Sequence, residues 1–138
     1  MLGRISTFDN SVQFYSLTLP KNWKQGQSYP LIVDLHGAGN DQPLFYVQVH
    51  FGSGEQEIQN AEAELPAHFV LSPWGRGNNG WIYEAERDIW EAIGDAERSF
   101  RFDPDRRYLM GFSMGGGGTW HLALRRPDYF AAVCVGAG

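Results

Sequence analysis

A serine between two glycines, at the junction of a β-rich run and a helix-like stretch, constrains the fold of this chain more than any other feature. Residues 111–115 read Gly-Phe-Ser-Met-Gly; they end a β-rich run and open a stretch typical of a helix. A strand can turn directly into a helix only where small residues flank the turn, because its two arms approach each other closely. Gly111 and Gly115 stand at those positions. The motif therefore predicts that Ser113 lies on a sharp strand-to-helix turn.

Strand and helix patterns alternate along the rest of the sequence. Strands are predicted at 12–19, 31–36, 68–72, 107–112 and 131–135, and helices at 55–64, 84–100 and 114–126. A turn is predicted at 103–106, whereas residues 42–54 show no clear period. Short apolar strands between helices are typical of a parallel sheet covered on both faces. The order predicts one α/β domain over residues 1–138, with a mostly parallel sheet and flanking helices.

Composition and charge exclude several classes of partner. The 138 residues carry a net charge of −5, which is unlike the basic surface of a nucleic-acid-binding protein. The longest apolar runs, at 31–35 and 131–135, are far too short to span a bilayer, so no membrane partner is expected. No signal peptide is visible, which predicts a cytoplasmic protein if Met1 is the true start. Cys134 lies in an apolar run and is expected to be a small buried residue.

The position of Ser113 makes it a candidate nucleophile. Backbone N–H groups and the positive end of the helix dipole favour a developing oxyanion at a helix N-terminus, and the N–H of Met114 is the first expected donor. A glycine-rich loop beginning at His36 follows a predicted buried strand, at the position where a second donor is expected. Ala38, with Gly37 beside it, is the candidate for that donor. We expect His36 to hold the loop through its ring nitrogens.

A second glycine-rich loop and an acidic helix start each allow two interpretations. In the loop at 74–81, Trp74, Arg76 and Trp81 either line an acyl or aromatic pocket or form a packed surface loop with the arginine solvated. The acids at 84, 86, 88 and 91 suggest a metal site, but a helix N-terminus also favours acids through its dipole, and we favour the dipole. No metal-ligand spacing or phosphate loop is present, so neither a metal nor another cofactor is expected.

Three segments resemble a known family. Residues 29–39, 103–106 and 108–120 resemble serine esterases of the α/β-hydrolase superfamily, and residues 123–132 are similar to the stretch that follows the nucleophile helix. The nearest groups are the polyhydroxybutyrate-depolymerase and feruloyl-esterase-like enzymes, and the prolyl-oligopeptidase-like catalytic domains. The resemblance implies that Ser113 is the nucleophile and that the Ala38 and Met114 amides form the oxyanion hole. It also implies a small-molecule ester or a peptide as substrate.

The resemblance further implies that part of the catalytic triad lies outside this chain. In such enzymes the acid and then the histidine follow the serine, whereas after Ser113 only His121 and Asp128 occur, in the opposite order. His121 lies roughly 12 Å along the helix axis from the serine and cannot reach back. The acid and histidine are therefore expected beyond Gly138, in an α/β-hydrolase core that lacks its last strands. His50 is the alternative base within the chain.

Three functions remain open at this point. The first is a serine esterase that acts on carboxylic esters, and the second is a peptidase domain of the prolyl-oligopeptidase kind, because no residue separates ester from amide hydrolysis. The third is a catalytically inactive hydrolase fragment or a binding module. Missing strands would leave the final strand with an unpaired edge, which predicts self-association.

Overall fold

In the computed structural model, which describes residues 1–39 and 67–138, six strands and two helices follow one another in chain order. The strands are β1 (Leu2–Ile5), β2 (Val12–Thr18), β3 (Ser28–Leu35), β4 (Phe69–Pro73), β5 (Arg101–Phe112) and β6 (Ala132–Gly136). The helices are α1 (Glu84–Glu97) and α2 (Met114–Arg125). The predicted helix at 55–64, the unassigned segment 42–54 and His50 lie outside the described residues.

The strands form one sheet in the order β1-β2-β4-β3-β5-β6. β3 runs parallel to β4 and β5, and β5 runs parallel to β6, whereas β2 is antiparallel to both β1 and β4. Parallel neighbours need a crossover connection, and α2 supplies the one from β5 to β6, while α1 connects β4 to β5 on the other side of β3. The predicted α/β fold with a mostly parallel sheet is confirmed.

The core lies between the sheet and one face of α1. Alternate residues of β3 (Leu31, Val33 and Leu35) are fully buried, as expected for a strand whose side chains point in turn to opposite faces. The buried face of α1 repeats at helical spacing and comprises Ala85, Ile89, Ala92, Ile93 and Ala96. In the described part of the chain, no helix is long and apolar enough to cross a membrane.

The predicted turn at 103–106 lies inside a long strand. β5 pairs with β3 at Phe102 and again at Arg107, while β3 advances by only two residues between the same two pairs. The extra residues of β5 bulge out of the ladder, and Asp103 accepts a hydrogen bond from the Asp105 amide at 3.0 Å within the bulge. Residues 103–106 are therefore a bulge within β5 rather than a turn before it.

Cys134 is exposed, so its predicted burial is wrong. It lies on β6, which forms one edge of the sheet, and pairs in register with Met110, which is also exposed. Among the described residues no helix covers this face of the two strands, so an apolar run does not mean burial here. Self-association through the β6 edge stays a prediction.

A buried ion-pair network joins β1 to α1. The guanidinium of Arg4 lies 2.7 Å from Asp88 and also contacts Glu91, and Arg76 donates to the other oxygen of Asp88 at 2.9 Å. The side chains of Arg4 and Asp88 are only 6% and 2% exposed. The interpretation of residues 84–91 as acids placed by the helix dipole is therefore wrong for Asp88 and Glu91, which bind arginines from distant parts of the chain.

We predict that Asp88→Asn lowers the free energy of unfolding by about 3–5 kcal/mol, because it removes the buried carboxylate charge that Arg4 and Arg76 share. Urea denaturation followed by circular dichroism measures the change. Asp105→Asn is the matched control: its side chain is exposed, and its effect should stay within about 0.5 kcal/mol. Equal losses in the two variants would contradict a stabilising role for the network.

Glu91 should make the stability depend on pH in the acid range. Burial alone would raise the pKa of this carboxyl, but hydrogen bonds from Thr7 and Arg87 and the charge of Arg4 lower it from 4.5 to about 2. Because the pKa in the folded protein is below that in the unfolded chain, the stabilisation is complete above pH 4.5 and is lost as the pH falls towards 2. Unfolding free energies measured across this range should decline less steeply in Glu91→Gln; an unchanged slope would oppose this assignment.

Candidate active site

Ser113 lies on the predicted strand-to-helix turn. β5 ends at Phe112 and α2 begins at Met114, so the serine is the only residue between them, and it is exposed. Its φ of 55° and ψ of −119° belong to a region that residues with a β-carbon rarely adopt. Two backbone hydrogen bonds hold this geometry: the Ser113 amide donates to Gly136 at 2.8 Å, and the Ser113 carbonyl accepts from Gly117 at 3.0 Å.

The flanking glycines are required because backbones meet at this turn. A β-carbon built on Gly115 would lie 1.9 Å from the carbonyl oxygen of Leu35, and one on Gly111 would lie 2.3 Å from the carbonyl oxygen of Gly115. No side chain fits at either distance. The steric reason given for the glycines of the motif is therefore confirmed, and α2 starts directly against the end of β3.

The glycine-rich loop after β3 passes beside Ser113. A β-carbon on Gly37 would lie 3.6 Å from the β-carbon of Ser113 and 3.3 Å from the carbonyl oxygen of Phe112. Two residues later the amide of Gly39 donates to the side-chain oxygen of Asn78 at 2.9 Å. Ala38 lies between these two anchored glycines. The two predicted motifs, 75 positions apart in the sequence, thus meet in space.

His36 holds this loop from inside the protein. Its ring is 1% exposed, with Nδ1 2.8 Å from the Gly37 carbonyl oxygen and Nε2 2.8 Å from the Trp74 carbonyl oxygen. Both ring nitrogens therefore contact backbone oxygens, which leaves neither for the Ser113 hydroxyl. The predicted structural role of His36 is confirmed.

Trp81 connects the loop, the helix and the second glycine-rich segment. Its indole N–H donates to the His36 carbonyl oxygen at 3.0 Å, and its ring lies edge-to-face against the His36 imidazole with 4.7 Å between centroids. A β-carbon on Gly75 or Gly118 would collide with the tryptophan, so glycine is needed on both sides. The indole is 1% exposed. Trp81 is therefore a buried residue that packs against His36, Gly75 and Gly118.

The other two candidate pocket residues also have packing or ion-pair partners. Trp74 is half-buried and lies edge-to-face against Phe14, with 6.4 Å between ring centroids. Arg76 donates to Asp9 at 2.6 Å and to Asp88 at 2.9 Å. The hydrogen bond to Asp9, more than the one to Asp88, raises the pKa of Arg76 above its usual value. The alternative of a solvated Arg76 is thus wrong.

His121 lies away from Ser113 and binds an acid of the other helix. Its Nε2 is 2.8 Å from Glu86 of α1, whose second carboxylate oxygen accepts from Arg125 at 3.2 Å. Burial acts to raise the pKa of Glu86, but the hydrogen bonds from His121 and Arg125 outweigh it, and the pKa lies below its usual value. The acidic helix start and His121 were each noticed in the sequence, but nothing there indicated that they form a pair.

The mostly parallel sheet, the sharp turn at Ser113 and the glycine-rich loop held beside it are typical of the α/β-hydrolase fold, and comparison with known proteins agrees. A protein of Aspergillus terreus named "Probable feruloyl esterase C" is 33% identical, in an alignment that covers 99% of this chain and 52% of that protein. A solved structure described as a ferulic acid esterase superposes with a TM-score of 0.78 at 26% identity, over 96% of this chain and 56% of the other. The crystal structure of a thermostable esterase gives 0.74 at 27% identity, over 96% and 39%.

The family model described as "Putative esterase" matches residues 7–138. The chain therefore belongs to this family. It spans about half the length of the curated feruloyl esterases that it matches, with 52%, 45% and 46% of their residues covered in three of them.

We predict opposite effects of adding a methyl group at two glycines of α2. Gly115→Ala should cost more than about 4 kcal/mol or prevent folding, because its methyl group would overlap the Leu35 carbonyl oxygen. Gly117→Ala should stabilise by roughly 0.5–1 kcal/mol, because that position is open and alanine favours a helix. Thermal denaturation followed by circular dichroism compares the two variants. A similar melting temperature for both would refute the close contact at Gly115.

Proposed function

We propose that this protein hydrolyses carboxylic esters with Ser113 as the nucleophile. The observation that carries the proposal is the exposed serine at positive φ, at the N-terminal end of α2, with the Gly37 backbone beside it. A side chain held outward from a strained turn is accessible to a substrate carbonyl without rearrangement of the backbone. The relatives named as feruloyl esterases support aromatic acyl esters as the substrate class.

In this mechanism the oxygen of Ser113 attacks the ester carbonyl and displaces the alcohol. The resulting oxyanion accepts hydrogen bonds from the amides of Met114 and Ala38, and Gly37 allows the loop to approach closely. Water then attacks the acyl-serine, which releases the acid and restores the hydroxyl. Each step moves a proton to or from the serine, the alcohol or the water. The mechanism therefore needs a general base.

We propose that this base is a histidine, held by an acid, from sequence beyond Gly138. His36 and His121 are both engaged elsewhere, with backbone carbonyls and with Glu86. The curated relatives are about twice as long as this chain, which supports a longer protein with the remaining catalytic residues. The 138 residues alone would then supply the nucleophile and the oxyanion hole but not the proton transfer.

Labelling with a fluorophosphonate, followed by peptide mass spectrometry, tests the nucleophile. In a chain that includes the coding sequence downstream of Gly138, we expect a covalent adduct at Ser113. Ser113→Ala should remove the adduct and lower hydrolysis of an aryl ester by at least about 1,000-fold. Ser99→Ala, at an exposed serine, is the matched control and should leave both unchanged.

Labelling and hydrolysis measured on the same chains distinguish the esterase from a peptidase and from an inactive hydrolase core. An adduct at Ser113 with cleavage of proline-containing peptides rather than short acyl esters would indicate a peptidase. Absence of labelling in the extended chain would reject the nucleophile and favour an inactive hydrolase core. Labelling of the 138-residue chain at the same rate would show that no downstream base is needed.

A further inference from the structure

A groove of about 600 Å³ lies between α1 and α2, away from the serine turn. It is lined by Ile82, Tyr83, Glu86, Arg87, Trp90, His121, Arg125 and Arg126. Ser113, Gly37 and Ala38 are not among these residues. The nearest lining residue along α2 is His121, eight residues beyond the serine, which is roughly 12 Å along the helix axis. The volume is within the range of small-molecule sites.

The groove is cationic, although the protein is acidic. Its lining holds three arginines and one glutamate. Arg87 pairs with Glu91 and Arg125 with Glu86, which leaves the charge of Arg126 without an ion pair among the described residues, whereas the whole chain carries −5. The one carboxylate, Glu86, has both oxygens bound, by His121 and Arg125, which offsets its repulsion of an anion. An isolated cationic surface on an acidic protein attracts anions selectively.

Two of the guanidinium groups retain donors for a ligand. Arg125 uses its Nε for Glu86, and its terminal nitrogens have no carboxylate partner among residues 1–39 and 67–138. Arg126 packs over the Trp90 ring at 5.3 Å, and within the same ranges it forms no ion pair. By contrast, Arg87 is bound by Glu91 and Thr7. A carboxylate placed between Arg125 and Arg126 would thus gain charge-assisted hydrogen bonds.

The remaining wall of the groove is aromatic and apolar. Tyr83 is 79% exposed and lines the groove together with Ile82 and Trp90. Its φ of 50° and ψ of −113° are rarely adopted by residues with a β-carbon, as at Ser113. Backbone strain of this kind costs about 1–3 kcal/mol and is concentrated at functional sites. A flat ring fits beside these side chains better than a purely polar anion does.

We propose that this groove binds a small aromatic carboxylate, with its acid group at Arg125 and Arg126 and its ring against Tyr83 and Trp90. This site is separate from the one at Ser113 and does not depend on the proposed hydrolysis. The two proposed ligand sites would then lie at opposite ends of α2.

Titration with benzoate, followed by NMR of the tryptophan indole N–H groups, tests the proposal in the Ser113→Ala protein. The Trp90 signal, assigned by its loss in Trp90→Phe, should shift saturably, and the Trp81 signal should not. Arg126→Gln should weaken the affinity about tenfold, equivalent to about 1.4 kcal/mol. The matched control is Arg106→Gln, an arginine paired with Asp103 outside the groove, which should bind benzoate unchanged.

Benzamide, which has the same ring but no charge, tests the role of the carboxylate. We expect it to bind at least about tenfold more weakly than benzoate. Equal affinity for the two compounds, an unaltered affinity in Arg126→Gln, or no saturable shift of the Trp90 signal up to the solubility limit would each overturn the proposal. Arg126 is exposed, and its guanidinium contacts the Trp90 ring rather than a carboxylate, so the substitution should leave the fold intact.

Discussion

The contact between the first turn of α2 and the end of β3 sets the position of both parts of the candidate active site. Gly115 lies so close to the Leu35 carbonyl that not even a methyl group fits between them. Ser113 is two residues before this contact on the helix side, and His36 and Gly37 directly follow it on the strand side. A strand and a helix in backbone contact cannot shift independently, because protein interiors are close-packed. The serine and the glycine loop are thus fixed relative to each other.

Trp81 extends this constraint to a third segment. Because it hydrogen-bonds the His36 carbonyl and packs against Gly118, the indole joins the loop after β3 to α2. The indole fits here only because the facing residues are glycines. The glycines of α2 therefore allow close packing, although each of them lowers the helix propensity. The sequence indicated that cost, but it left Trp81 open between a pocket residue and part of a packed loop, because no local pattern placed Gly118 against the indole.

Local patterns predicted most of the parallel sheet, α1, α2 and the turn at Ser113, because each depends on periodicity or on a nearby glycine. The edge strand β1 was missed because its apolar residues are exposed and Arg4 anchors it to Asp88, 84 positions away. No short-range signal reports a partner at that separation. Cys134 shows the converse error: a strand can be apolar and still be exposed, since burial depends on what packs over it. The contact between the His36 ring and the Trp74 carbonyl oxygen likewise could not be predicted from local sequence patterns.

The ion pairing of the acidic side chains explains how a cationic groove arises on an acidic protein. On α1, Asp88 and Glu91 point towards Arg4, and Glu86 points across to Arg125, so each of these carboxylates is paired with an arginine where it lies. The potential at a surface depends on the charges that remain unpaired near it, since salt screens interactions beyond about 10 Å. At the end of α2 the unpaired charge is a guanidinium, that of Arg126. The net charge of a chain therefore predicts its broad class of partner, whereas the pairing of individual side chains determines what one groove can bind.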